Sequence, residues 1–268
     1  MRLHFGARLI CAAVLVSAVA ACDQEPIEWK DPVELPGGGN DTLGRLAVDS
    51  SGRARVAAAV ATPAAVPTAG DASVCPASAR TATGTVHRYT AWWGMRRDSG
   101  ATLFVSSTPT GGGAWTKPVS VDTTDMSSSG CDRPPPSVVT VGDDVFVAYS
   151  LYAPEGRGVF FAHTMGGMVH EPVPVVYGER VVATAIAAQD QRVVVAYEEP
   201  NGSRRRVDVA LSETQGHNFG WHVPASRDVD VGRAPDVALA GDRVAVSWTA
   251  IGGADSNANR VVRVGRIK

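Results

Sequence analysis

One unit of about 50 residues recurs along this chain, and that repetition leaves few architectures open. Its first strand and turn read Ser137-Val-Val-Thr-Val-Gly-Asp143, Thr184-Ala-Ile-Ala-Ala-Gln-Asp190 and Asp236-Val-Ala-Leu-Ala-Gly-Asp242. A second strand follows each, at Val145-Phe-Val-Ala-Tyr149, Val193-Val-Val-Ala-Tyr197 and Val244-Ala-Val-Ser-Trp248. The short Gly-Asp and Gln-Asp links between them read as hairpin turns. Third strands read Gly158-Val-Phe-Phe-Ala-His163, Arg206-Val-Asp-Val-Ala-Leu211 and Arg260-Val-Val-Arg-Val264. An earlier copy has Thr85-Val-His-Arg-Tyr-Thr-Ala-Trp92 as second strand and Ala101-Thr-Leu-Phe-Val105 as third. The second-strand aromatics Trp92, Tyr149, Tyr197 and Trp248 fall 57, 48 and 51 residues apart. With 28 Gly and 17 Pro as punctuation, and Val as the dominant strand former, the expectation is an all-β fold. Four short strands per unit is the period of a β-propeller blade.

The link from third to fourth strand narrows this further. Ser212-Glu-Thr214-Gln-Gly216-His-Asn-Phe219 resembles the Asp box of sialidase-type (BNR) propellers, Ser-x-Asp-x-Gly-x-x-Trp. Looser copies are Thr108-Pro-Thr110-Gly-Gly112-Gly-Ala-Trp115 and Ala162-His-Thr164-Met-Gly166-Gly-Met-Val169, and all three have Thr where the box has Asp. The resemblance implies a sialidase-like propeller in which the box is structural and carries no catalysis.

The chain stops after the third strand of its last repeat. Trp29-Lys-Asp-Pro-Val-Glu-Leu35 copies the fourth-strand segment Trp115-Thr-Lys-Pro-Val-Ser-Val121, so the N-terminal strand is expected to complete the C-terminal blade. Residues 43–60 match only the first two strands of a unit, and 62–77 read as a loop. The 247 residues after position 21 divide into five blades of about 49, with four or six as alternatives.

Residues 1–21 read as a leader. Arg2 and Arg8 precede an apolar run from Leu9 to Ala21, too short for a span of about 20 residues but suited to a signal peptide. The run ends Val19-Ala20-Ala21-Cys22, which resembles the lipobox of bacterial lipoproteins and implies lipid on Cys22. The expected organisation is therefore leader 1–21, anchor and linker 22–28, and a single propeller domain over 29–268. The partner this implies is a membrane of the bacterial envelope, gripped by acyl chains. Loss of the leader leaves a net charge of −4, which excludes nucleic acid as a partner by charge.

Two cysteines remain, Cys75 and Cys131, each just ahead of an inner strand; in an exported chain they are expected to form a disulfide. Arg133, Arg180 and Arg233 recur 15 to 17 residues ahead of their blade's aromatic. They either ring a channel mouth and grip an anion, or pair with carboxylates such as Asp132, Glu179 and Asp236 between blades. Trp93 either joins the core or faces the top and stacks on a sugar. A sialidase, by the resemblance, needs a three-arginine cluster, a Tyr–Glu pair, an Asp and an early Arg-Ile-Pro segment, and the last is missing. Tyr197 and Glu198 are strand neighbours and point to opposite faces. Another glycosidase needs two facing carboxylates about 5 to 10 Å apart, with Asp49, Asp132, Glu198 and Asp236 as candidates. The histidines are scattered, so no metal and no cofactor is expected. Arg204-Arg205-Arg206 reads as a solvated loop. The expected function is an anchored binding scaffold for a glycan or an envelope protein, with a carbohydrate-active hydrolase as the alternative.

Overall fold

A computed structural model describes residues 25–35, 45–57, 73–75, 78–97, 100–179, 181–201, 204–227, 231–250 and 259–268. The leader, Cys22 and Arg180 lie outside these residues.

The described residues form strands and turns and no α-helix. β1 (Ile27–Trp29) and β2 (Val33–Glu34) open the chain, followed by a two-stranded hairpin of β3 (Arg45–Val48) and β4 (Ala54–Ala57). The next sheet holds β5 (Ser73–Val74), β6 (Arg80–Thr83), β7 (His87–Met95), β8 (Ala101–Pro109) and β9 (Val119–Asp122). Its inner strand is split, because β5 and β6 both pair with β7. Then come β10 (Ser137–Val141), β11 (Asp144–Ala153), β12 (Gly156–Met165), β13 (Met168–Val169) and β14 (Val173–Tyr177). A four-stranded sheet follows: β15 (Val182–Gln189), β16 (Arg192–Asn201), β17 (Arg204–Ser212) and β18 (Trp221–Pro224). The last is β19 (Gly232–Ala240), β20 (Arg243–Ala250) and β21 (Asn259–Ile267).

Among the described residues every pairing is antiparallel and links strands one or two places apart in chain order, except the one that joins the two ends. β1 and β2 lie along β21, with Ile27 opposite Ile267 and Val33 opposite Val262. The N-terminal segment therefore supplies the outer strand of the last sheet, as the copied Trp29 segment predicts. Pro32 falls in the gap between β1 and β2, where no ladder hydrogen bond is asked of it.

The sheets stack face to face in chain order. One core joins the β5–β9 sheet to the β10–β14 sheet through Trp93, Leu103, Val147, Tyr149 and Phe160. A second joins the β10–β14 sheet to the β15–β18 sheet through Phe146, Val159, Phe161, Ile186 and Tyr197. A third packs the β15–β18 sheet on the last one through Val194, Val207, Val237 and Trp248. Leu46 of the first hairpin closes against Ala238, Ala245 and Val262. This is blade-on-blade packing, and it explains why the second strands are apolar without alternation. Val193, Val194, Val195, Ala196 and Tyr197 are all buried because both faces of β16 are covered. Each Val so removed from water is worth about 1.5–3 kcal/mol.

Turns follow the repeat, with substitutions. Gly142 and Gly241 take positive φ in their hairpins, and Asp190 takes the same conformation in the third, at 54°. The Ser212 box is a tight turn: Ser212 Oγ accepts from the amides of Thr214 and Gly216, and Thr214 Oγ1 accepts from Asn218 N at 3.2 Å. Thr214 thus does with a hydroxyl what the resemblance assigns to Asp. Phe219 packs edge-on against Phe161 of the preceding sheet. The third copy is different: Gly166 and Gly167 form a plain hairpin between β12 and β13, with Thr164 opposite Val169. The expected loop at Arg204-Arg205-Arg206 is also corrected, since all three lie in β17, paired with the end of β16.

Candidate functional site

The disulfide Cys75–Cys131 is present, with its Cα atoms 5.3 Å apart. It ties the break between β5 and β6 to the loop that leads from β9 to β10. Ser78, in that break, accepts from Trp93 N and donates to Cys75 O. Beside the bridge, loop 123–136 is held by its own acids. Asp125 has a fully buried carboxylate that accepts from Ala101 N at 2.9 Å and from Arg133 Nη1 at 2.7 Å. Asp122 accepts from the Tyr149 hydroxyl at 2.8 Å and from Thr124. Burial, then the charge of Asp122, pushes the Tyr149 hydroxyl pKa well up, so it stays a donor. Arg96 reaches the carbonyls of Ala101, Thr123 and Asp125.

This geometry corrects two expectations. Arg133 does not line an exposed channel mouth: its side chain is 6% exposed, its Nε donates to Gly130 O, and it pairs with Asp125. The pairing alternative is therefore the one realised, with Asp125 as partner in place of Asp132. Trp93 faces the core, fully buried, with its indole N–H on Pro134 O and the Arg133 guanidinium 5.3 Å above its ring. It presents no face to a sugar. Arg233 is exposed on β19, in a different sheet, and Asp236 pairs with Arg260 and with Leu46 N instead. The predicted arginines therefore do not converge among the described residues.

What the stapled corner does present is a shallow depression lined by Arg96, Gly100, Asp125, Met126, Ser127 and Ser128. Met126 is 61% exposed, and its amide donates to Tyr152 O, which brings the tip of the β11–β12 hairpin to the same rim. Tyr152 is 41% exposed, with the Arg157 guanidinium over its ring at 5.1 Å. Met126, Ser127 and Tyr152 carried no motif in the sequence, so only the fold singles them out.

Three of the four acids nominated for hydrolysis, Asp49, Glu198 and Asp236, are occupied. Asp49 caps its own turn through Ser51 and Arg53, which holds its carboxyl below the usual range. Glu198 accepts from Ala234 N at 2.9 Å and pairs with Arg205 at 2.7 Å. Asp132 is exposed, and no nominated acid faces it in the described loop.

A cluster that sequence reading missed lies at the start of β17. Arg206 Nη2 bridges Asp208 Oδ2 at 2.9 Å and Glu199 Oε2 at 3.3 Å. The Asp208 side chain is 3% exposed and its Oδ1 has no donor facing it. Burial first, and Glu199 beside it, push the Asp208 carboxyl up to about 7. Tyr197, opposite Asp208 in the ladder, meets His222 Nδ1 with its hydroxyl at 3.1 Å. As expected, Tyr197 and Glu198 have separate partners on opposite faces.

The picture of scattered histidines also needs correction. His163 and His170, seven residues apart, and the distant His217 have ring nitrogens within 4.8 Å of one another at the box end of the sheets. His217 and His222, the close pair in sequence, belong to different clusters. Burial, and then the other two rings, hold the His163 imidazolium pKa down at about 4.

No family profile matches this chain, and no curated protein does. Similar solved structures include a Trypanosoma rangeli sialidase in complex with the inhibitor DANA, at 14% identity and a TM-score of 0.49 over 87% of this chain. An exo-1,5-alpha-L-arabinanase from a bovine ruminal metagenomic library is 10% identical, with a TM-score of 0.44, and the match covers 88% of this chain and 92% of that one. A native Bacillus subtilis arabinanase is 10% identical, with a TM-score of 0.39, over 69% of this chain and 71% of that one. The chain spans 40% of the length of the trypanosomal sialidase.

Proposed function

We propose that the sheets complete a five-bladed ring and that the stapled corner is a carbohydrate-recognising face of a binding scaffold. The observation that carries this is the state of the acids. Asp49, Glu198 and Asp236 are each committed to a backbone amide, and Asp125 is sealed under Arg133. Acids spent on holding loops leave a rigid surface, and rigid loops lose little entropy on binding. Ser127 and Ser128 supply hydroxyls, and Tyr152 under Arg157 supplies an exposed ring for a sugar face.

Glycoside hydrolysis is the second reading, and one feature of this chain favours it. The Asp208 carboxyl keeps its proton to about pH 7, as a general acid must. Against it, Arg206 bridges Asp208 and Glu199 directly, whereas a hydrolytic pair stands about 5 to 10 Å apart around the bond to be cut.

The test is a glycan array probed with the full chain, with release of reducing sugar followed on every glycan retained. Binding without turnover, weakened at least tenfold by Tyr152→Ala, supports the scaffold. Turnover abolished by Asp208→Asn establishes the hydrolase instead. Anchoring belongs to the same proposal: Cys22 carries the lipid that holds the body on the envelope. Radiolabelled palmitate should enter the wild-type chain in a bacterial host and not Cys22→Ser; equal labelling of both would remove the anchor.

A further inference from the structure

Three histidines from two sheets meet where the sequence offers no metal motif. His163 lies near the end of β12 and His170 follows β13, both in the β10–β14 sheet, while His217 stands in the Ser212 box turn of the next sheet. Their ring centroids are 4.8 Å apart for His163 and His170, 4.9 Å for His163 and His217, and 6.0 Å for His170 and His217.

The central member is the informative one. His163 is 2% exposed, stacked against Phe146 and Phe161, and neither of its ring nitrogens has a hydrogen-bond partner. A neutral imidazole carries one donor and one acceptor, so a fully buried ring with both unanswered is anomalous in a finished core. The other two rings are what face it. His217 Nδ1 lies 2.7 Å from Thr214 O, which fixes the proton on Nδ1 and leaves Nε2 as a free lone pair. A ligating imidazole is held in that way by a carbonyl behind it. The His170 amide donates to His163 O, so those two backbones are already clamped together.

We propose that His163, His170 and His217 form a binding site for a divalent transition-metal ion of the zinc class. Three imidazole nitrogens with an open fourth position suit zinc, nickel or copper, and do not suit calcium or magnesium, which take oxygen ligands. Metal–nitrogen bonds of about 2.0–2.1 Å need the nitrogens closer together than they stand. His163 is fixed by packing, but His170 is half-buried and His217 exposed, so both can swing in. The Gly166–Gly167 hairpin places His170, and the box turn places His217. The ion would clip two neighbouring sheets together on the side opposite loop 123–136. The site is independent of the carbohydrate-face reading and survives its failure.

The experiment is calorimetric titration of the full chain, freed of metal with chelator, with zinc chloride and separately with cobalt chloride followed by visible absorption. The expected result is one equivalent of zinc, and a cobalt spectrum with the intense d–d bands of a four-coordinate site. His217→Ala, an exposed turn position, should weaken zinc binding at least tenfold and abolish those bands, as should His170→Ala. His222→Ala should leave both unchanged, and calcium chloride should give no heat. No stoichiometric binding, or binding that His217→Ala leaves intact, overturns the proposal.

Discussion

Arg133 reaches across loop 123–136 to set its guanidinium 2.7 Å from the carboxylate of Asp125, with both side chains out of solvent. The same guanidinium covers the ring of Trp93. The pair seals the core beneath the disulfide, so its loss should be felt as stability. Removing one partner of a buried pair leaves the other charge unanswered, at a cost of about 3–5 kcal/mol. Arg133→Ala is therefore expected to lower the midpoint of urea unfolding steeply. A double-mutant cycle with Asp125→Ala should return a coupling of roughly 0.5–3 kcal/mol. A near-zero coupling would mean that the two act separately.

The Cys75–Cys131 bridge closes a chain segment of 56 residues between neighbouring sheets. Reduction, or Cys131→Ser, should cost roughly 2–5 kcal/mol by freeing the unfolded chain. Urea unfolding with and without reductant measures it. Cys131→Ser should unfold at the same midpoint in both conditions, below the oxidised wild type.

Gly216 and Gly142 both take positive φ, but only one is crowded. A Cβ on Gly216 would stand 2.0 Å from Phe161 Cε1, whereas at Gly142 nothing lies within 4 Å. Gly142→Ala should therefore cost only the conformational term, about 1–2 kcal/mol. Gly216→Ala adds a core clash that typically brings about 1–3 kcal/mol more. Thermal unfolding of the two variants side by side should rank them in that order, and equal losses would contradict the packing account.

The raised carboxyl of Asp208 makes a pH prediction with a definite sign. In the unfolded chain this group loses its proton near 3.9, and in the folded protein near 7. Between those values the folded state binds the extra proton, so stability contributed by this site is present at low pH and falls as pH rises towards 7. Asp208→Asn should flatten that part of the stability–pH curve, measured by urea unfolding between pH 4 and 7.5. A slope identical in the variant would place the proton elsewhere.

By itself the sequence determined the strand repeat, the antiparallel hairpins, the pairing of the Trp29 segment with the last repeat, and the bond between Cys75 and Cys131. These are local or pairwise properties: strand period, turn residues, copied segments and an even thiol count. The turns tolerate substitution, since Asp190 takes the positive φ that Gly takes in the sister hairpins. Which side chains meet was decided by the tertiary structure. Arg133 and Arg233 share a repeat phase, yet one is buried on Asp125 within loop 123–136 and the other is exposed on β19. Arg206, Glu199 and Asp208 gather because β16 and β17 set them on one face, and the three histidines because a hairpin and a box turn from neighbouring sheets end at one point. Stacking sheets face to face brings together residues about 50 positions apart, and no local pattern records which of them will touch.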